Sequence, residues 1–221
     1  MSTLAPTLIV AVCIWSAGFQ LALGGPGTMA PQNAKTMRVY IGTYTRGESV
    51  GIYLYRLDMA TGGLEPTGLT AETANPSFLA LHPNASFLYA VGELREVQGR
   101  PGGAVSAFAI DPETGGLTLL NQQSSGGAGP CHLTVDATGR YVLVANYGSG
   151  GVAALPIGDD GRLAPASDTV QHEGSSAHPK RQRGPHAHSI NLAPDNRFAF
   201  APDLGIDKVM IYELDLAEGK L

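Results

Sequence analysis

Tyr141-Val142-Leu143-Val144-Ala145 is the stretch on which the fold turns. Side chains alternate between the two faces of a strand. Five apolar residues in succession therefore suit a sheet that is covered on both sides. Working outward, the turn signal Asp136-Ala137-Thr138-Gly139 precedes the run. A second strand-like segment, Gly151 to Ile157, follows it, and the turn Gly161-Arg162-Leu163 comes next. The same order of pieces recurs. Turns of the same kind stand at Gly62-Gly63-Leu64, Gly115-Gly116-Leu117 and Gly219-Lys220-Leu221. Strand-like segments precede them: Gly51 to Leu57, Ala104 to Ile110 and Lys208 to Leu214. Before those come Arg38 to Tyr44, Phe87 to Glu93 and Phe198 to Asp203. A still earlier element begins near Asn75-Pro76, Gly129-Pro130 and Gly184-Pro185, at intervals of 54 and 55 residues. One unit is four strands in about fifty residues. A sheet stacked between two like sheets is the blade of a propeller, and the expected fold is all-β, a β-propeller of four-stranded antiparallel blades. A β-sandwich does not repeat its turns at this interval.

Counting strands gives about three and a half blades. The second and third copies are complete. The first is expected to lack its innermost strand, and the fourth reaches only the first residue of its outermost one at Leu221. Two open apolar flanks would follow, through which the chain is expected to associate. The expectation is of a fragment, a truncated product or a piece completed by another chain.

Composition agrees with a packed β protein. The 221 residues include 29 Gly and 15 Pro, yet 43% are hydrophobic, which excludes disorder. Net charge is −5, so no general nucleic-acid footprint is present. Cys13 and Cys131 make no disulfide framework. Cys131 is expected to be a buried structural thiol, and its adjacency to His132 sends the two side chains to opposite faces. Leu8 to Leu23 is mostly apolar and short for a membrane span, so no stable span is expected. It fits a secretory signal, although no Lys or Arg occurs before Lys35. An uncleaved anchor, or a start at Met29 or Met37, are the alternatives. Residues 1–37 are set outside the fold and 38–221 form the propeller domain. Location is periplasmic or secreted if 1–23 are a signal, and cytoplasmic otherwise.

Several segments, taken in order, resemble the lactonase family of seven-bladed propellers. They are Tyr40-Ile41-Gly42-Thr43-Tyr44-Thr45, Asn75-Pro76-Ser77-Phe78-Leu79-Ala80, Phe87 to Glu93, Tyr141 to Gly150, Pro185-His186-Ala187-His188-Ser189, and Asp203-Leu204-Gly205-Ile206-Asp207-Lys208. The resemblance covers about the first half of the family's length. It implies hydrolysis of a sugar lactone, with 6-phosphogluconolactone the leading substrate, and a proposed site that draws a histidine from the Pro185–Ser189 motif. The family's site also takes an arginine and a glutamate from later blades. Muconate-lactonising relatives share the fold, so the fold alone does not fix the reaction. The competing reading is a non-catalytic truncated propeller that binds a ligand or another protein.

Lactone hydrolysis needs a base for water, donors for the oxyanion and, for a phosphorylated sugar, cations. His186 and His188 enter the innermost strand of the fourth copy two residues apart, so both point one way. The alternative makes one a structural bridge and leaves the other exposed. His132 enters the equivalent strand of the third copy. Asp203 either orients a histidine or binds a sugar hydroxyl, or else caps local amides in a turn. Asn146, at the corresponding place of the third copy, is a weaker substrate-binding candidate. Lys180, Arg181 and Arg183 form the one basic cluster and would meet a phosphate, or else make a solvated charge run. Four histidines lie within 172–188, but their spacing fits no zinc pattern, and no metal is expected. No glycine-rich phosphate loop occurs between a strand and a helix, and no cofactor is expected.

Overall fold

A computed structural model of the chain describes residues 9–15, 35–97 and 100–221. The first sheet holds β1 (Ile9–Trp15), β2 (Thr36–Thr43), β3 (Gly51–Asp58) and β4 (Leu64–Glu72) in that order. The second holds β5 (Leu79–Leu81) and β6 (Phe87–Gly92). A small hairpin, β7 (Glu96–Val97) and β8 (Arg100–Pro101), interrupts it before β9 (Ala104–Ile110) and β10 (Leu117–Ser124). The third is β11 (Pro130–Val135), β12 (Tyr141–Asn146), β13 (Gly151–Pro156) and β14 (Asp168–Gln171). The fourth is β15 (Asn191–Leu192), β16 (Phe198–Asp203) and β17 (Lys208–Glu213). Neighbouring strands pair antiparallel throughout. The first strands of successive sheets touch one another, β1 on β5, β5 on β11 and β11 on β15, so the sheets fan from a common axis.

The run at 141–145 shows why. Val142 and Val144 pack with Tyr89, Val91, Val105 and Leu133 between the second and third sheets. Tyr141, Leu143 and Ala145 pack with Ile190, Ala199, Ala201 and Leu214 between the third and fourth. A third cluster, around Tyr40, Ile52, Leu88 and Phe108, joins the first sheet to the second. Each fully buried large side chain contributes roughly 1.5–3 kcal/mol. One polar device recurs at the same joints. The Tyr40 hydroxyl donates to the Gly115 carbonyl at 2.8 Å, Tyr89 to Gly161 at 3.1 Å and Tyr141 to Leu216 at 3.3 Å. Each tyrosine ties its own second strand to the outer turn of the next sheet.

The repeated turns follow from backbone chemistry. Gly62, Gly115, Gly161 and Gly219 all hold φ between 65° and 79°, a region closed to most side chains. In three of the four, an aspartate four residues before the glycine closes the turn: Asp58, Asp111 and Asp215 each accept from two backbone N–H groups.

Three expectations need revision. Residues 1–37 are not wholly outside the fold: Ile9–Trp15 pairs antiparallel with β2 at the innermost place of the first sheet, and β2 starts at Thr36. An apolar stretch of Ile and Val suits that place. The rest of the N-terminal segment, and the signal reading with it, lies outside the described residues. The innermost strand of the fourth sheet is only Asn191–Leu192, not a strand entered at His186. Ala187 makes a single bridge to Asp203, and the Ile190 N–H turns away to the Nδ1 of His132 at 3.3 Å. The β7–β8 hairpin was not foreseen.

Candidate functional site

In an antiparallel pair, the start of one strand lies beside the end of the next. Pro130 pairs with Asn146 and Ala187 with Asp203, so the prolines that open the first strands share an end with the residues that close the second. The residue after each proline falls in one slot: Ser77, Cys131 and His186. The residue after each second strand falls in another: Tyr44, Glu93, Tyr147 and Leu204. Together they ring one mouth of the fan.

His186 is half-buried there. Its ring stacks on Tyr147 of the third sheet, with centroids 4.7 Å apart. Its Nδ1 lies 2.9 Å from the Tyr147 carbonyl. A carbonyl only accepts, so Nδ1–H is the donor and the neutral ring leaves Nε2 unprotonated. A base is thereby prepared. The His186 backbone N–H donates to Asp203 Oδ1 at 2.7 Å, which fixes the chain beneath the ring. Gly205 lets this happen: a Cβ there would stand 1.9 Å from the Gly184 carbonyl. His188 is exposed and meets the same Tyr147 ring edge-on at 5.5 Å. It lines an open groove with Ser189, Leu204 and Lys208.

His132 is of the opposite tautomer. Its Nδ1 accepts from Ile190, so Nε2 carries the hydrogen, and the ring lies against Phe78 at 4.2 Å. Burial, and then the nearby charge of His188, push it down from 6.5 to about 4. At neutral pH it is an uncharged donor suited to a developing oxyanion. A consequence for stability follows. Above pH 6.5 both states are neutral. As pH falls from 6.5 toward 4, the unfolded chain takes up a proton that the folded chain refuses, and stability drops by up to roughly 3 kcal/mol. Below about 4 the loss levels off. Urea unfolding at pH 4.5 and 7.5 is expected to show this difference, and His132→Gln is expected to reduce it. Equal differences in both proteins would remove His132 as its source.

Two candidates are buried. Asp203 is 2% exposed and lies at the wall of the groove that His188 lines. Its Oδ1 accepts from His186, Gly205 and Ile206 N–H groups, and its Oδ2 from His172 Nδ1 at 2.6 Å. Each of these bonds holds a neighbouring group in place, His172 among them. Burial alone would raise its pKa, but the hydrogen bonds outweigh burial and hold it below the usual value. Asn146 is 1% exposed, with Nδ2 donating to the Ser125 carbonyl at 2.9 Å and, among the described residues, no hydrogen bond to its buried Oδ1. Lys180, Arg181 and Arg183 are exposed on a loop tied to this end of the fourth sheet by Gln182 Nε2, which donates to the Leu204 carbonyl at 2.8 Å. Arg183 Nε donates to the Pro179 carbonyl. Among the described residues, no hydrogen bond or ion pair joins these three charges to the histidines.

Two groups were missed. His172 sits buried between Asp203 and the Tyr212 hydroxyl, which lies 2.6 Å from Nε2 and joins the third sheet to the fourth. Glu93 stands at the mouth, receiving the Tyr44 and Ser77 hydroxyls. Cys131 is partly buried, and burial, followed by the Glu93 charge, pushes its thiol up to about 12, which keeps it a thiol. Among the described residues, no group of three or more His, Cys, Asp or Glu side chains is arranged to hold a metal ion.

Residues 38–221 match the family described as lactonase, seven-bladed β-propeller. The chain is 39% identical over 175 residues to the 6-phosphogluconolactonase of Bacillus subtilis, covering 79% of this chain and 48% of that protein. A solved Bacteroides fragilis structure superposes with a TM-score of 0.77 at 39% identity, over 85% of this chain and 51% of that one. The periplasmic gluconolactonase of Pseudomonas aeruginosa superposes with a TM-score of 0.75 at 38% identity, over 81% and 50%. The chain spans about half the length of the relatives it matches.

Proposed function

Because the chain belongs to the seven-bladed β-propeller lactonase family, we propose that it hydrolyses a sugar lactone, with 6-phospho-D-glucono-1,5-lactone as the leading substrate. The observation that carries this reading is the clamped His186 ring, whose Nδ1–H is committed to the Tyr147 carbonyl and whose Nε2 is left basic. Nε2 takes a proton from water as the oxygen adds to the lactone carbonyl. The Nε2–H of His132 donates to the oxyanion that forms. Collapse of the tetrahedral adduct breaks the bond from the carbonyl carbon to the ring oxygen, and His186 returns its proton to that oxygen. The product is the open-chain acid. Stacking on Tyr147 keeps the imidazole in one orientation through both transfers.

The test is turnover of freshly generated 6-phosphogluconolactone, with spontaneous opening subtracted. A rate above the blank is expected, and a folded chain with none would overturn the reading. The exposed cations at 180, 181 and 183 give the phosphate a partner. Arg181→Ala is expected to raise KM severalfold with kcat nearly unchanged, since the phosphate does not change charge during ring opening. An unchanged KM would leave Arg181 a surface charge.

One observation favours a second reading, a binding role. Phe200 and Ile211 lie directly opposite each other on the fourth sheet, with Val209 on the same face, and Val209 and Ile211 are 56% and 63% exposed. Such a row invites association. Concentration-dependent assembly without turnover would select this reading.

A further inference from the structure

Glu93 closes the second strand of the second sheet and is half-buried at the mouth. Its Oε2 receives two hydroxyls, from Tyr44 at 2.8 Å and from Ser77 at 2.5 Å. Tyr44 comes from the first sheet and Ser77 from the second, so the carboxylate is aimed by two separate elements. Its backbone is held as well. The Glu93 N–H donates to the Asn75 carbonyl at 3.0 Å, and Asn75 Nδ2 donates to the Glu93 carbonyl at 3.2 Å. Asn75 is in turn fixed by Thr45, whose N–H and hydroxyl both donate to its Oδ1 at 3.0 Å. Asn75 itself sits at φ 44°, a conformation that few residues adopt without such support. Among the described residues, no hydrogen bond reaches Glu93 Oε1.

The turn aspartates Asp58, Asp111 and Asp215 also bond through one oxygen, but to backbone N–H groups of their own turns, whereas Glu93 is held by side-chain hydroxyls from two sheets. Here one oxygen is anchored and the other is left as a rigid acceptor. The surroundings argue for the ligand. Tyr44 and Ser77 supply hydroxyls, and among the described residues no cluster of acids or histidines gathers to hold a cation. The site is continuous with the histidines. Glu93 acts on the Cys131 thiol through its charge, and that thiol donates to the His188 carbonyl at 3.2 Å.

We propose that Glu93, aimed by Tyr44 and Ser77, forms a subsite that accepts hydrogen bonds from the hydroxyl groups of a polyol or sugar ring. This rests on the lactonase reading for the ring's reactive end, but not for its recognition. Charge-assisted hydrogen bonds of this kind set which lactone is held, not how fast it opens.

The experiment compares two lactones in Glu93→Gln, which keeps the shape and an acceptor for Tyr44 and Ser77. KM for D-glucono-1,5-lactone is expected to rise about tenfold, the size of one charge-assisted hydrogen bond, with kcat within about twofold. The hydroxyl-free δ-valerolactone is expected to be unaffected. An equal loss on both lactones, or no change on either, overturns the proposal. Calorimetric binding of D-gluconate reads the subsite without turnover. Wild-type binding that weakens about tenfold in Glu93→Gln supports it even if neither lactone is hydrolysed, in which case the lactonase reading falls alone. No binding by the wild type, or no weakening in the variant, overturns it. If Glu93→Gln does not fold, Tyr44→Phe is measured by the same criteria, and its loss is expected in the same direction.

Discussion

His186→Ala is expected to lower kcat/KM for the lactone by about 100-fold or more, the usual contribution of a general base. The substitution leaves the local fold in place. The backbone N–H of residue 186 still reaches Asp203 Oδ1, and Ala187 remains bridged to Asp203. What disappears is the ring on Tyr147 and its basic Nε2. His186→Asn separates the two roles. Its side-chain amide can still donate to the Tyr147 carbonyl, but it offers no base, so the fold is expected to survive and the rate to be lost. His188→Ala is expected to cost much less, because that ring is exposed and meets Tyr147 only by its edge. The measurement is steady-state hydrolysis by the three variants, with thermal unfolding alongside. Full activity in His186→Ala combined with a large loss in His188→Ala would move the base to His188.

Asp203→Ala is expected to destabilise the chain by roughly 3–5 kcal/mol, the range seen when one partner of a buried polar pair is removed. For a domain of this size, the melting temperature would fall by on the order of 6 to 20 °C. Four donors lose their acceptor at once: His172 Nδ1 and the backbone N–H groups of His186, Gly205 and Ile206. Each buried donor left unpaired adds its own desolvation cost. Activity is expected to fall as well, because the segment under His186 loses its anchor. The pH dependence has a definite direction. The folded carboxyl is held below its ordinary value, so its stabilisation is present at neutral pH and is lost as pH falls through the folded value. The variant is expected to lack that part of the acid-induced loss. A melting temperature within about 2 °C of wild type would show that the network does not carry the joint.

Much of this was legible in the sequence, and the reason is local. Glycines at 62, 115, 161 and 219 mark turns because the backbone there enters a region closed to other residues. The run at 141–145 marks a doubly covered sheet because alternate residues feed two different cores. Both signals depend on neighbours along the chain. The histidine motif drew attention as two like residues at strand spacing, although the chain there makes only the single bridge of Ala187 to Asp203. The rest depends on partners far along the chain. Nothing in Asp203 alone announces His172, 31 positions earlier. Asn146 misled in the same manner, since its partner Ser125 lies 21 residues back. Glu93 drew no attention because its meaning comes from Tyr44 and Ser77, which sheet stacking brings to it. The first strand was missed because an apolar N-terminal run has the same composition whether it is a leader or a strand.

The shared place of Ser77, Cys131 and His186 carries a broader lesson. Three side chains with nothing chemically in common occupy the same address in successive units of one chain, although the first strands beside them differ in length. Each is tied in by its own partner: Ser77 donates to Glu93, the Cys131 thiol to the His188 carbonyl and His186 to the Tyr147 carbonyl. Substituting the partly exposed places 131 and 186 is therefore expected to change reactivity at the mouth at less cost to folding than substituting Ser77, which is fully buried.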